Sequence, residues 1–149
     1  MEEERNRTPG RILGLDVGAR RIGIAVSDPL GLTAQGLPTL HRRNRRYDHS
    51  ELRQVINKYS VKEIVIGNPL RMSGESGAQA EKMAAFAAQL GQEFSLPIHL
   101  WDERLSTAEA HRLLDETAIR DARRKEVIDK MAAVLILQSF LDARAAKSS

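Results

Sequence analysis

Two short aliphatic runs near the start of the chain predict a β-hairpin. RILGLDV at 11–17 and IGIAVS at 22–27 are rich in β-branched and aliphatic residues, and the segment 18–21 between them reads as a turn. After a second turn at 28–31, LTAQGLPTL continues the meander, and Pro38 indicates that this third strand lies at an edge. The chain is therefore expected to open with three antiparallel strands.

Beyond residue 46 the hydrophobic period lengthens, and helices alternate with strands. Leu52, Val55, Ile56 and Tyr59 form the stripe of an amphipathic helix. The predicted elements are a helix at 47–59, strands EIVIGN and IHLWDE, a helix at 78–90, a capped helix starting at Ser106, and a last helix at 125–143. This order predicts an α/β fold: a mixed five-stranded sheet, with three antiparallel strands and then two parallel ones, flanked by helices.

Length and composition restrict the class of protein. The chain has 149 residues, 42% hydrophobic and 29% charged, which predicts one globular domain over residues 11–143 with flexible termini at 1–10 and 144–149. It has no cysteine, so disulfides and thiolate-bound metals are excluded. No leader and no membrane-spanning apolar stretch are recognised, so we expect a cytoplasmic protein that does not contact a membrane.

Positive charge is concentrated in two short segments, although the formal net charge is only +3. These are HRRNRR at 41–46 and RDARRK at 120–125. Such clusters attract the phosphate backbone of nucleic acids. Ordinary solvated surface is the competing interpretation, because no aromatic residues interleave to stack on bases.

Acidic residues occupy three unusual positions. Asp16 interrupts an apolar strand, where an ionised carboxylate is costly unless a cation compensates it, although it could simply begin the turn at Gly18. Asp102 and Glu103 end another strand, and strand alternation sends them to opposite faces, so the sequence alone does not choose between them. Asp129 precedes the most apolar helical segment, where it could also be a favourable anion in the first helical turn.

Convergence of these acids at one sheet edge would require divalent cations, because clustered carboxylates repel one another. Oxygen-only ligands select Mg²⁺ or Mn²⁺. A pair of such ions generates a hydroxide nucleophile and stabilises the leaving oxygen during phosphodiester hydrolysis. The four histidines show no metal-site spacing. The acids therefore indicate a metal-dependent nuclease.

Four segments, in this order, resemble the YqgF/RuvX family of ribonuclease-H-like proteins. They are LDVGARRIG at 15–23, IGNPLRMSG at 66–74, DERLST at 102–107 and IDKMAAVLIL at 128–137. Members of this family are described as Holliday-junction resolvases and as nucleases of precursor 16S rRNA. One departure from the family pattern is Asn68, where an apolar residue is common; it lies beside the expected site and not among its ligands.

The resemblance implies a ribonuclease-H-like fold and an endonuclease that processes the 5′ end of precursor 16S rRNA in ribosome biogenesis. It places the catalytic, metal-binding carboxylates at Asp16, Glu103 and Asp129, which favours Glu103 over Asp102, with two Mg²⁺ or Mn²⁺ ions as cofactors. It further implies a nucleic-acid-binding surface. The residues expected to form that surface are Arg20, Arg21, Arg71 and Arg104.

Three other functions stay open at this point. The chain could resolve DNA four-way junctions with the same carboxylates, or it could bind RNA as a ribosome assembly factor without cleaving it. A phosphate-binding module of the actin and sugar-kinase type also has a first-strand Asp before a glycine turn, but it needs two lobes, for which this chain is short. A monomer or weak homodimer is expected, and a strict monomer would count against junction resolution.

Overall fold

The computed structural model describes residues 10–68, 77–102 and 121–148. We number the described elements in chain order. The strands are β1 (Arg11–Val17), β2 (Arg21–Ser27), β3 (Ala34–His41), β4 (Val61–Asn68) and β5 (Ile98–Asp102), and the helices are α1 (Arg45–Tyr59), α2 (Gly77–Phe94) and α3 (Asp121–Ser148). Each of these elements was predicted from the sequence to within a few residues of its ends, except α3, which is longer. The predicted helix starting at Ser106 lies outside the described residues.

The five strands form one mixed sheet in the order β3-β2-β1-β4-β5. β1, β2 and β3 pair antiparallel, whereas β4 pairs parallel with β1 and β5 pairs parallel with β4. The predicted fold class is therefore confirmed, including the three antiparallel strands and the two parallel ones. Pro38 lies in the edge strand β3, where its missing N–H removes no hydrogen bond from the middle of the sheet.

Each face of the sheet carries its own apolar cluster. Helix α3 covers one face, and its residues Ala133, Ile136 and Leu137 pack with Ile12 and other apolar residues of the strands. Helices α1 and α2 cover the other face, where the alternate residues of the same strands point. On β1 this alternation places Ile12 with α3 and Leu13 with α1 and α2.

Glycines on the α3 face let the helix approach the sheet closely. A Cβ on Gly14 would lie 2.7 Å from Cβ of Leu137. A Cβ on Gly23 would overlap the carbonyl oxygen of Asp129 and lie 2.6 Å from its carbonyl carbon. Real Cβ atoms do not tolerate such distances, so both positions require glycine for the observed packing.

Helix α3 extends beyond the predicted 125–143 at both ends. Arginine, alanine and lysine dominate these extensions and are good helix formers, and Arg144 donates to Glu63 of β4 at 2.6 Å. Asp129 consequently lies more than two turns inside α3. The interpretation of Asp129 as an anion of the first helical turn is therefore wrong. None of the described helices combines the length and apolarity that crossing a membrane requires.

Candidate active site

The carboxyl ends of β1, β4 and β5 lie at one edge of the sheet, because these three strands run parallel. Asp16 is the second-last residue of β1, and it pairs with Gly23 of β2. Since Gly14 faces Leu137 of α3, alternation along the strand places Asp16 on the α3 face as well. The carboxylate of Asp16 thus belongs to the same side of the sheet as α3.

Asp129 approaches this point from α3. Its backbone packs on the backbone of Gly23, and Gly23 is the direct antiparallel partner of Asp16. A side chain at position 23 would push the helix away from the strand pair. The absence of a side chain on Gly23 therefore lets α3 bring Asp129 next to the strand residue that pairs with Asp16.

Arg21 binds one of these acids directly. Its Nε donates to Oδ2 of Asp129 at 2.6 Å, and the two side chains are 28% and 17% exposed. At this partial burial a charge-assisted hydrogen bond is shorter and stronger than a neutral one. Arg21, predicted to contact nucleic acid, thus contacts a predicted metal ligand in this structure.

Asp102 lies on the other face of the sheet. Its neighbour Trp101 points toward α3, where its indole N–H donates to Ser139 Oγ at 3.0 Å. Alternation turns Asp102 away from that face, and Asp102 pairs in register with Asn68. Asp102 and Asn68 therefore do not share the face of the sheet on which Asp16 lies.

Not every predicted site residue lies within the described part of the chain. Glu103, Arg71 and Arg104 lie outside it. Among residues 10–68, 77–102 and 121–148, no group of three or more acidic or histidine side chains is positioned to hold a metal ion. Arg20 is exposed in the turn between β1 and β2, where its carbonyl oxygen accepts a hydrogen bond from the Arg42 N–H at 2.8 Å.

A cleft of about 510 Å³ reaches Asp16 from the α2 side, opposite to the approach of Asp129. It lies over the turn after β1, and two cations, Arg42 and Lys82, line it together with Phe86 and Gln79. Two cations thus lie beside Asp16 on this side of the sheet, and one of them, Arg42, is paired with Asp48 at 3.1 Å.

Comparison with known proteins gives this site its context. The family model RuvX, described as "Holliday junction resolvase", matches residues 10–143. The chain belongs to the RuvX family. Two relatives named "Putative pre-16S rRNA nuclease" are similar over nearly the whole chain: one from Koribacter versatilis is 53% identical over 95% of this chain and 93% of its own length, and one from Clostridium novyi is 50% identical over 89% and 98%.

A solved structure supports the fold of this RuvX-family chain. The T. thermophilus RuvC structure "in complex with Holliday junction substrate" matches with a TM-score of 0.55 at 13% sequence identity, covering 91% of this chain and 96% of that one. At this identity the similarity concerns the fold alone. It confirms the predicted ribonuclease-H-like architecture.

Sequence reasoning missed two features of the RuvX-family site. Lys82, from α2, was not predicted to approach Asp16, because an isolated exposed lysine on a helix carries no distinguishing pattern. The Arg21–Asp129 pair was also missed, since the two residues are far apart in the sequence. Arg42 lies in the basic segment 41–46, so the charge pattern indicated the cluster but not its contact with the turn after Asp16.

Proposed function

We propose that this RuvX-family protein is a metal-dependent endonuclease that hydrolyses phosphodiester bonds. The juxtaposition of Asp16 and Asp129 through Gly23 is the observation that carries this proposal. Two carboxylates between a strand end and a helix are costly unless cations offset their charge. Arg21 supplies one positive charge, to Asp129, and a divalent ion between the acids would supply the rest.

Asp16, Glu103 and Asp129 would hold the ions. Their donors are all oxygens, which fits Mg²⁺ or Mn²⁺, and we expect two ions as in other carboxylate nucleases. Glu103 directly follows β5, whose carboxyl end lies at the same sheet edge as Asp16, and this adjacency supports it as the third ligand. When bound, the ions would activate water and stabilise the leaving oxygen of the cleaved bond.

The substrate we propose is precursor 16S rRNA, cut at its 5′ end during ribosome biogenesis in the cytoplasm. The names of the relatives at about 50% identity support this choice. Arg20, Arg71 and Arg104 would contact phosphates beside the scissile bond, and Arg21 would do so once a metal ion releases it from Asp129. The working unit would be a single domain over residues 11–143, as a monomer or weak homodimer.

A DNA four-way junction is the second candidate substrate, since the family model carries the description of a junction resolvase. The same carboxylate chemistry would serve both substrates. A resolvase acts as a symmetric dimer on a two-fold substrate, whereas rRNA processing has no such requirement. Cleavage of the two substrates and the oligomeric state together separate these functions.

The decisive experiment measures Mg²⁺-dependent cleavage of a precursor 16S rRNA fragment and of a four-way junction, side by side. Asp16→Asn and Asp129→Asn should abolish cleavage and leave RNA binding equal or stronger, because one repelling charge is removed. Asp142→Asn is the matched control. Asp142 is an exposed acid on α3, about 20 Å along the helix from Asp129, so this variant should cleave like the wild type.

Equal cleavage by Asp16→Asn and the wild type would refute the catalytic assignment. RNA binding without cleavage by the wild type would instead identify an assembly factor that retains the fold.

A further inference from the structure

Three clefts join into one continuous path that starts at Asp16. The cleft beside Asp16 shares Ala19, Arg42 and Phe86 with a second cleft of about 310 Å³ at the start of α1. The second cleft shares Arg45 and His49 with a third, of about 440 Å³, along α1. We call this surface the arginine path. Its cationic residues are Arg20, Arg42, Arg43, Arg45, Arg46, Arg53 and Lys82.

Most of this positive charge is not neutralised by acidic side chains in the part of the chain that the structure describes. Arg42 pairs with Asp48 at 3.1 Å, and Arg53 pairs with Glu93 at 2.9 Å. The other five cations make no ion pair with any residue that the structure describes; they are Arg20, Arg43, Arg45, Arg46 and Lys82. Five exposed cations along one path form a surface that attracts polyanions.

The arginine path is fixed relative to Asp16 by hydrogen bonds of Arg42 and of the buried Asp48. Asp48 is 2% exposed and accepts both the Nε–H of Arg42 and the backbone N–H of Arg43, at 3.1 Å each. Arg42 also donates from Nη1 to the carbonyl oxygen of Gly18 at 2.8 Å, in the turn that follows β1. These bonds hold the beginning of α1 against the strand end that carries Asp16.

The shape of the path fits an extended chain of negative charges better than a single anion. From Arg45 to Arg53, α1 rises about 12 Å, so its cations can meet several successive phosphates. The phenyl ring that lines the path is covered by a cation, since the guanidinium of Arg42 lies over Phe86 at 5.5 Å. A covered ring offers no platform for a stacked base, so recognition here uses the backbone.

We propose that the arginine path binds the phosphodiester backbone of the nucleic-acid strand that flanks the scissile bond and leads it from Asp16 along α1. This inference rests on the proposed nuclease function, since it takes Asp16 as the point of cleavage. Contacts of this kind position the strand but do not recognise its base sequence. The path thus sets the register of the strand in the site.

The test compares two triple variants that remove equal charge. Arg43→Gln/Arg45→Gln/Arg46→Gln removes exposed cations of the path. Lys58→Gln/Lys62→Gln/Lys147→Gln removes exposed cations near the opposite sheet edge, at the end of α1, the start of β4 and the end of α3. Binding to single-stranded RNA, single-stranded DNA and a four-way junction is measured in EDTA, which prevents cleavage, over a salt series.

The path variant should lose at least tenfold in affinity for single strands. Its slope of log K against log salt should be shallower by about 2, since three phosphate contacts contribute about 0.7 each on single strands. The lysine variant should bind within twofold of the wild type. Because the contacts are with the backbone, we expect the affinities for RNA and for DNA to fall equally. If the affinity for only one of them fell, the path would be assigned to that nucleic acid.

If the path variant bound with the affinity and the salt dependence of the wild type, the proposal would be overturned. The double variant Arg45→Gln/Arg46→Gln replaces the triple if thermal melting shows that the triple is unfolded, with an expected slope change of about 1.4. Cleavage is read in parallel. If the wild type cleaves, Asp16→Asn does not, and the path variant binds as the wild type does, only the proposal for the path is refuted. If the path variant binds more weakly but the wild type does not cleave, only the nuclease function is refuted.

Discussion

Arg21 and Asp129 form a 2.6 Å hydrogen-bonded ion pair between β2 and α3. The carboxylate of Asp129 is thereby occupied by a cation at the place where we propose a divalent ion. The guanidinium orients this carboxylate, but its positive charge also repels a metal ion that approaches the same oxygen. Metal binding must therefore displace Arg21 or share Asp129 with it.

Replacing Arg21 should strengthen metal binding. In Arg21→Gln the repelling charge is absent, and we expect Mn²⁺ affinity to rise roughly three- to tenfold, equivalent to about 0.6–1.4 kcal/mol. Titration followed by electron paramagnetic resonance of free Mn²⁺ measures this directly. Arg20→Gln, the neighbouring exposed arginine, serves as the control and should change the affinity less than twofold. Unchanged or weaker binding by Arg21→Gln would show that Arg21 does not compete with the ion.

Gly23→Ala should both destabilise the protein and disturb the acidic pair. Its Cβ would overlap the Asp129 carbonyl, so α3 must move away from β2. Overpacking of this kind costs about 1–3 kcal/mol in the free energy of unfolding, which urea denaturation measures. Mn²⁺ affinity should fall as well, because the shift separates Asp129 from Asp16.

Gly77→Ala is the matched control for this substitution. Gly77 is the first residue of α2, and a Cβ there meets nothing within 4 Å. The free energy of unfolding of Gly77→Ala should equal that of the wild type or exceed it by up to about 1 kcal/mol. If both alanine variants had the stability of the wild type, the close contact between Gly23 and Asp129 would be wrong.

Stability should decrease when the solution becomes mildly acidic. His49 is buried between Phe86 and Phe94, and burial lowers its pKa below the ordinary 6.5, while Glu93 partly opposes this effect. Below pH 6.5 the unfolded chain binds a proton at this histidine that the folded chain does not. The free energy of unfolding therefore falls, by at most about 1.4 kcal/mol per pH unit, until the pH reaches the lowered pKa of the folded state.

Urea denaturation from pH 7.5 to pH 5 tests the role of His49. His49→Phe keeps an aromatic ring in the cluster and should remove this part of the pH dependence. His41→Asn, at an exposed position, should leave the decrease in place. An identical pH profile for His49→Phe and the wild type would assign the decrease to other groups.

The sheet could be predicted from the sequence because its strands are marked by local patterns. The runs 11–17 and 22–27 are aliphatic and separated by a turn, and Pro38 marks an edge strand; the structure confirms both. The boundaries of α3 were less accurate. Nothing in the alanine- and arginine-rich segments beside it distinguishes a helix end from a helix that continues.

The candidate site could be predicted only in part, since its geometry depends on contacts between distant segments. An acid within an apolar strand made Asp16 recognisable, and an acid before the most apolar helical segment made Asp129 a candidate. Resemblance to the RuvX family favoured Glu103 over Asp102. The role of Gly23 depends on what lies opposite it, and the sequence around it looks like any glycine in a strand. The role of Arg42 also depends on a distant contact, because its hydrogen bond to Gly18 joins the segment before α1 to the turn after β1.

The face of the sheet on which each acid lies gives a final prediction. Asp102 is next to Glu103 in the sequence, but it lies on the face opposite to Asp16, so it should not touch the proposed ions. Asp102→Asn should keep Mn²⁺ affinity and cleavage within about twofold of the wild type, whereas Glu103→Gln should weaken Mn²⁺ binding at least tenfold, as expected for loss of one carboxylate ligand. Isothermal titration of both variants with Mn²⁺ provides the comparison. If Asp102→Asn had the larger effect, Asp102 and not Glu103 would be the third ligand, and the face assigned to this end of β5 would be wrong.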